Sequence, residues 1–394
     1  MKKIIFVSIY ILVIMQLVGC WNYREIDEVE IVLGFAVDSS IREENIENRL
    51  NEKMDPIVYS MTYELVGVKS KEGELESRVL SNKGDTVFEA MRKLIQKNGK
   101  KLYLAHTKIL VIGEEHAKEG ITEILDYTMR DAEYRPDVHI LISNDTKAEK
   151  IFTSMPSEVI SLKLNDALYN QDKIGNFEIA TVWNIIDKLS KKGFEPSIPL
   201  VNLEESEDGK VNPNIGGMAV FKGTKMVGKL SQNETLYYLF IDNEIKNQPL
   251  SIEYYFDNEL GHISLEFLKN KTKVTPIIDN NNIVMNINIK CDVAISELSN
   301  KLEILDEEEI DKLERYIEKY IEKGINNLLI RVQKEFNSDI FGFGDLIKRD
   351  RNKIWKEIED DWDEIFATLP IITDIEVHIK KTALSSQSIE TDKY

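Results

Sequence analysis

The sharpest periodicity in the chain lies between Ile283 and Ile295. Every odd position there is apolar (Ile283, Met285, Ile287, Ile289, Cys291, Val293, Ile295), and the even ones include Asn286, Asn288, Lys290 and Asp292. Successive side chains of a strand point to opposite faces, so a period of two puts one face in a core and the other in water, the pattern of an antiparallel sheet. Asp279-Asn280-Asn281-Asn282 supplies the turn before it. Further on the period changes to three or four. Ile310, Leu313, Ile317, Ile321, Leu328, Val332 and Phe336 make one stripe, bridged by Gly324 and Ile325, which predicts a long helix lying across a sheet or another helix. Asp306 and Glu309 form a capping-box-like start, Glu307 and Glu308 suit the positive end of the helix dipole, and Arg331 and Lys334 suit the negative end. A second helix carries Trp355, Ile358, Trp362, Ile365, Phe366 and Leu369 and stops at Pro370; Ile375, Val377 and Ile379 alternate in a final strand, and residues 385–394 read as a disordered polar tail.

The amino-terminal half is less regular. Ile31–Asp38 reads as a buried strand, 39–55 as a polar loop, and Ile57–Val68 as a strand in which Val58, Ser60, Thr62 and Glu64 alternate with Ile57, Tyr59, Met61, Tyr63 and Leu65. Residues 69–84 read as another polar loop. Thr86 is the N-cap of a helix running to Gln96, Leu102–Ile112 is a strand, Glu115–Arg130 a helix, Val138–Ser143 a strand, and 145–195 mostly helical. The result is βαβαβ-like, with many polar interruptions for a parallel sheet. Residues 202–215 fit a linker or a long hairpin turn, and Gly216–Gly228 a hairpin turning at Gly223-Thr224-Lys225.

The chain opens differently from everything that follows. Lys2 and Lys3 precede an apolar run from Ile4 to Met15, interrupted only by Ser8 and Tyr10. That run is shorter than the roughly 20 residues of a membrane-spanning helix and has the length of a signal-peptide h-region. Leu17-Val18-Gly19-Cys20 then matches the bacterial lipobox. The small Gly19 opens the peptide bond to the signal peptidase, and the Cys20 sulfur takes the diacylglyceryl group. Two acyl chains give stable anchoring at about 0.8 kcal/mol per buried CH₂.

The expected organisation is a lipoprotein signal peptide over 1–19, an N-terminal α+β domain over 20–201, the segment 202–215, a C-terminal α+β region over 216–384 open to division near residue 250, and the tail. The fold class is α+β and multidomain, with mixed and antiparallel sheets packed with helices and long C-terminal helices over an antiparallel sheet. A net charge of −19 over 394 residues repels phosphate backbones and argues against nucleic acid as a partner. With Cys20 acylated, Cys291 has no partner for an intrachain disulfide.

Candidate chemistry is sparse. The histidines His106, His116, His139, His262 and His378 are scattered, and no His-Glu-x-x-His, G-x-S-x-G, P-loop or G-x-G-x-x-G run occurs. Cys291 falls in phase with an apolar strand face, where thiols are inert. No catalytic residue, metal site or cofactor is expected, and the chain reads as a non-enzyme.

Several segments carry a family resemblance. Gly19-Cys20-Trp21-Asn22 with Arg24-Glu25-Ile26, followed by the strand ending at Asp38, is one. His106-Thr107-Lys108 into Val111-Ile112-Gly113-Glu114-Glu115, then Gly120-Ile121 and Arg130-Asp131, is another. Gly217 through Phe221-Lys222 to Val227-Gly228-Lys229-Leu230, with Glu234-Thr235, is a third. The most specific is Ser338-Asp339-Ile340-Phe341-Gly342-Phe343-Gly344 with Trp355 and Asp361-Trp362-Asp363-Glu364-Ile365-Phe366. In this order, from Gly19 to about Leu384, the chain resembles the C subunit of spore germinant receptors, the Ger(x)C lipoproteins; that family typically has Asp where Asn22 stands. The resemblance implies an α+β ectodomain held by lipid on the outer face of the spore inner membrane. It also implies two polytopic membrane subunits as partners in a nutrient-responsive complex, and no catalytic residues. Trp21, Arg24, Glu25, Phe341, Phe343 and Trp362 are the candidates for partner contact. A solute-binding lipoprotein is the competing reading, but its usual two similar α/β lobes fit the 283–295 pattern poorly. A cell-envelope hydrolase would need acids, a metal or an activated nucleophile converging in one pocket.

Overall fold

The computed structural model describes Lys3, Ile5 and residues 28–41, 57–69, 73–156, 158–256, 259–279, 282–298 and 307–382. The lipobox, Trp21, Arg24, Glu25, Asp306 and the tail lie outside the described residues.

Nine strands form one sheet: β1 (Val29–Ile41), β2 (Ile57–Lys69), β3 (Glu74–Gly84), β4 (Lys101–Tyr103), β5 (Ile109–Gly113), β6 (His139–Ser143), β7 (Ser197–Glu205), β8 (Val211–Lys222) and β9 (Lys225–Leu230). Their order is β3-β2-β1-β5-β6-β7-β8-β9, with β4 beside the start of β1. β1, β5, β6 and β7 are parallel, and both flanks are antiparallel. Parallel neighbours need long crossovers, and the helices of those crossovers cover the sheet. The helices are α1 (Val87–Asn98), α2 (Glu114–Glu119), α3 (Thr122–Arg130), α4 (Ala148–Thr153), α5 (Ile160–Tyr169), α6 (Gln171–Ile174) and α7 (Val182–Leu189). α1, α2, α3 and α7 bury one face, around Phe35, Tyr63, Leu110 and Ile140; α4 and α5 bury the other, around Ala36, Ile109, Val111 and Leu141.

α8 (Gln232–Asp242) leads into a second sheet of β10 (Gln248–Phe256), β11 (Glu259–Asp279), β12 (Asn282–Leu298) and β13 (Ile371–Thr382), in that order. β10, β11 and β12 are antiparallel neighbours, whereas β13 runs parallel to β12. α9 (Glu307–Arg331) lies across this sheet and passes through a π-turn at Val332–Phe336 into α10 (Phe343–Asp350), α11 (Asn352–Ile358) and α12 (Trp362–Thr368). Its buried residues Leu313, Ile317, Ile321, Ile325 and Leu328 follow the stripe seen in the sequence. All odd positions from Ile283 to Ile295 are buried. One apolar cluster runs from the α4–α5 face of the large sheet through Leu239 and Phe240 of α8 into Phe267, Ile287, Ile289 and α9.

The structure corrects several readings. Residues 74–84 are the edge strand β3 rather than loop; its apolar residues are only Leu75, Val79 and Leu80, and Val79 and Leu80 pack against opposite cores, so no period of two marks the strand. The strand expected over 102–112 is broken by a turn in which the Thr107 amide donates to the Leu104 carbonyl. The helix expected over 115–130 breaks at Gly120, whose φ of 137° no helix accommodates. The second C-terminal helix is three short ones. Residues 202–215 form most of the β7–β8 hairpin, so Gly216–Gly228 pairs within the large sheet. α8, β10 and β11 are elements that the periodicity of the sequence does not predict.

Candidate functional site

β1, β5 and β6 are parallel, and their carboxyl ends bring together residues from three of the family-like segments. Asp38 closes the apolar run of β1, Gly113 ends β5 and Glu114 follows it, Asn144 and Asp145 follow β6, and Lys229 reaches in from β9. Asp38 accepts the amides of Ala148 (2.9 Å) and Glu149 (3.0 Å), satisfying the first turn of α4 from a neighbouring strand. Burial raises its carboxyl against those two bonds. A side chain at Gly113 would collide with the Asp38 carboxylate, so the strand can pass this close only as glycine.

Glu114 is buried and ionised. Burial opposes its charge, but hydrogen bonds from Lys229 (2.8 Å), the Asp145 amide (2.9 Å) and Lys118 outweigh it and hold the carboxyl at about 2. Lys229 also reaches Asn144 Oδ1 (2.5 Å) and Asp145 (2.9 Å). Asp38, Glu114, Lys118 and Asp145 border a polar cleft of about 470 Å³ that includes His116. His116 is buried, with neither ring nitrogen paired among the described residues, and burial lowers its pKa against the pull of Glu119 and Glu123. It packs edge-on against Tyr59 at 5.6 Å. The charged groups here hold one another and a helix end, and among the described residues no group of three or more His, Cys, Asp or Glu is placed to hold a metal ion.

The glycine-rich segment forms a second convergence, where the C-terminal helices meet the large sheet. Asp339 is buried and accepts the amides of Phe343 (3.1 Å) and Gly344 (2.9 Å), capping α10, together with Trp362 Nε1 (3.2 Å). Burial pushes its carboxyl up to about 7 while the three N–H groups pull it down. The Asp339 carbonyl accepts the Glu195 amide (2.9 Å), Ser338 donates to the Phe221 carbonyl (2.5 Å), and Lys222 reaches the Asn337 carbonyl (2.7 Å) and Asp363 (2.5 Å). Gly193 and Gly344 approach so closely that a Cβ on Gly193, which also has a φ of 79°, would lie 2.7 Å from the Gly344 Cα. Two family-like segments, around Phe221-Lys222 and Ser338–Gly344, are thus one joint.

Phe343 and Trp362, expected to contact partners, are instead interior, and Phe341 is half-buried between Tyr238 and Phe343. Apolar aromatics beside a capped buried carboxylate serve the joint, and Trp362 spends its N–H on Asp339. Cys291 is buried, donates to Asn270 Oδ1 (3.3 Å), and burial, then Asp292, push its thiol up to about 12. The capping carboxylates Asp38, Asp339 and Glu64, which accepts the Ile160 and Ser161 amides, were not picked out as site residues from the sequence; for Asp38 and Glu64 the available signal was an acid closing or standing in a strand.

Comparisons with known proteins agree with this architecture. A family described as "Spore germination protein N-terminal domain" matches residues 22–203, and one described as "Spore germination B3/GerAC like, C-terminal" matches 216–383. Spore germination protein KC of Bacillus subtilis (strain 168) is 25% identical, covering 99% of this chain and 98% of that one. Spore germination protein B3 of the same strain is 24% identical over 94% and 96%. The crystal structure of the GerBC protein superposes with a TM-score of 0.54 at 22% identity, covering 88% of this chain and 98% of that one, a likeness of fold. The chain belongs to the Ger(x)C family of spore germination proteins.

Proposed function

We propose that this chain is a lipid-anchored receptor subunit that works by assembly rather than catalysis. Diacylation of Cys20 holds it on the outer face of the spore inner membrane, where it joins two polytopic membrane subunits in a complex that triggers germination in response to nutrients. The observation that carries this reading is the lipobox Leu17-Val18-Gly19-Cys20 standing directly ahead of a match to both family domains that runs to residue 383. No helix among the described residues is long and apolar enough to cross a membrane, so attachment by the amino-terminal lipid fits the folded part. The converged charges also favour assembly: Asp38 and Asp339 are occupied as helix caps, and Glu114 is occupied by Lys229 and Lys118.

Two measurements test it. Sporulating cells fed radioactive palmitate should label the wild type and not Cys20→Ala; equal labelling ends the anchor. Affinity purification from dormant spores should recover two polytopic proteins with the wild-type chain, and their absence under gentle detergent extraction ends the receptor assignment.

A further inference from the structure

We propose that the amino-terminal ends of the parallel strands rest on the lipid bilayer, with Trp183 and Tyr169 in its headgroup region. The inference rests on the anchor reading of Cys20. β1 enters the large sheet at this edge, where Val29 stands beside Lys101. Eight residue steps separate Cys20 from Glu28, and a fully extended chain of that length reaches about 30 Å at most. The bilayer surface therefore stays within that distance of the start of β1, and this is the edge it meets.

The edge has the side chains such a position requires. His139 opens β6, Thr181 bridges to it, and the Trp183 amide donates to the Pro136 carbonyl, which fixes Ile179–Trp183 at this end. The Tyr169 ring stands edge-on to His139 at 6.5 Å. Trp183 is 56% exposed and Tyr169 72%, and Ile179 and Tyr103 are exposed as well. Trp183 projects from a helix on one face of the sheet and Tyr169 from a helix on the other, so the pair straddles the edge. Tryptophan and tyrosine, with an apolar body and a polar tip, concentrate at the headgroup level of membranes.

Charge agrees. The chain carries −19 overall and would be repelled by anionic headgroups. Yet three carboxylates at this edge are paired with cations: Glu30 with Arg78 (2.8 Å) and Lys100 (3.9 Å), Glu133 with Lys101, and Asp137 with Arg135 (2.8 Å).

The test uses the full mature chain, residues 20–394, with Trp21→Phe so that the residue beside the anchor does not report. Cys20 is coupled to a maleimide phospholipid in phosphatidylcholine vesicles, with or without bromine on the shallow part of the acyl chains; the buried Cys291 thiol does not compete. Bromine quenches an indole only near contact, and the buried Trp355 and Trp362 give a constant background. The Trp183 emission should fall about twofold on brominated vesicles. Trp183→Phe should remove that difference without changing the circular dichroism spectrum. Equal emission on the two vesicle types overturns the proposal. So does quenching that follows protein density instead of bromine, which would make the edge a contact between copies. Because the anchor is installed chemically, this result is independent of whether cells acylate Cys20, which palmitate labelling decides separately.

Discussion

The large sheet is covered on both faces and the small sheet on one, and this difference sets what a polar residue can do in each. All five residues of β5 are buried: Ile109 and Val111 face α4 and α5, and Leu110 and Ile112 face the opposite helices. A carboxylate on such a strand has no water to turn to. Glu64 on β2 is fully buried, and it accepts the amides of Ile160 (2.7 Å) and Ser161 (2.8 Å), capping α5 as Asp38 caps α4. In the small sheet the even positions of β12 stay at the surface and pair across to β13: Asn288 with Asp374 (2.8 Å), Lys290 with Glu376, Asp292 with Lys380 (3.5 Å). Surface pairs of this kind contribute little, about 0–1 kcal/mol each. α9 has a second use at this sheet. Glu318 and Glu314, one turn apart, accept the amides of Val377 (3.1 Å) and Ile379 (2.7 Å), so donors on the outer edge of β13 are occupied and closed to strand addition. Polar groups in the doubly covered sheet are thus structural necessities, whereas on the open face of the small sheet they are replaceable.

The largest effect should come from placing Asn on each kind of face. Leu110→Asn and Val111→Asn, on opposite faces of β5, should each cost about 3–4 kcal/mol, as should Ile289→Asn, whereas Lys290→Asn should stay within about 0.5 kcal/mol. Urea-unfolding midpoints followed by circular dichroism report this. A mild Leu110→Asn would mean that one face of the large sheet is wet. Next is the joint: Asp339→Ala strands two helix amides and the Trp362 N–H and should cost about 3 kcal/mol. Asp339→Asn should cost less because its carbonyl still accepts. Equal midpoints for wild type and Asp339→Ala would show that the cap does not hold the C-terminal helices. The smallest effect should be the pH dependence of Glu114. Its folded carboxyl lies at about 2, against 4.5 for a free one. The folded state therefore binds its proton more weakly, so the stabilisation is present above 4.5 and is lost as pH falls from there through about 2. Glu114→Gln should cost about 2 kcal/mol at neutral pH. That gap should close as acid titration nears pH 2, and a gap constant across this range would refute the ion-pair account.

Much of the small sheet and its helix was legible because one wet face writes a period into the residues. β12 and the Leu313–Leu328 stripe were read from that period alone. The edge strand β3 was not, because its few apolar residues, Val79 and Leu80 among them, pack on opposite faces and leave no period. β11 was missed for a different reason: it carries register shifts near Ser264 and Phe267 that move the pattern out of phase. At the candidate site, the family-like segments were visible as separate runs, but nothing local says that Asp38, Glu114 and Lys229 meet, or that Phe343 and Trp362 point inward.

By itself the sequence determined the lipobox candidate at Cys20, the α+β class, the long helix over a sheet and the acidic surface charge. These are properties of contiguous residues, and local chemistry is enough to write them. Only the tertiary structure decided the parallel order of β1, β5, β6 and β7, the joint at Asp339, and the work of the buried carboxylates. The amides that Asp38 and Glu64 satisfy lie 96 to 111 residues further along the chain. An acid in a strand therefore looks like an exception until the fold delivers the helix end that it caps.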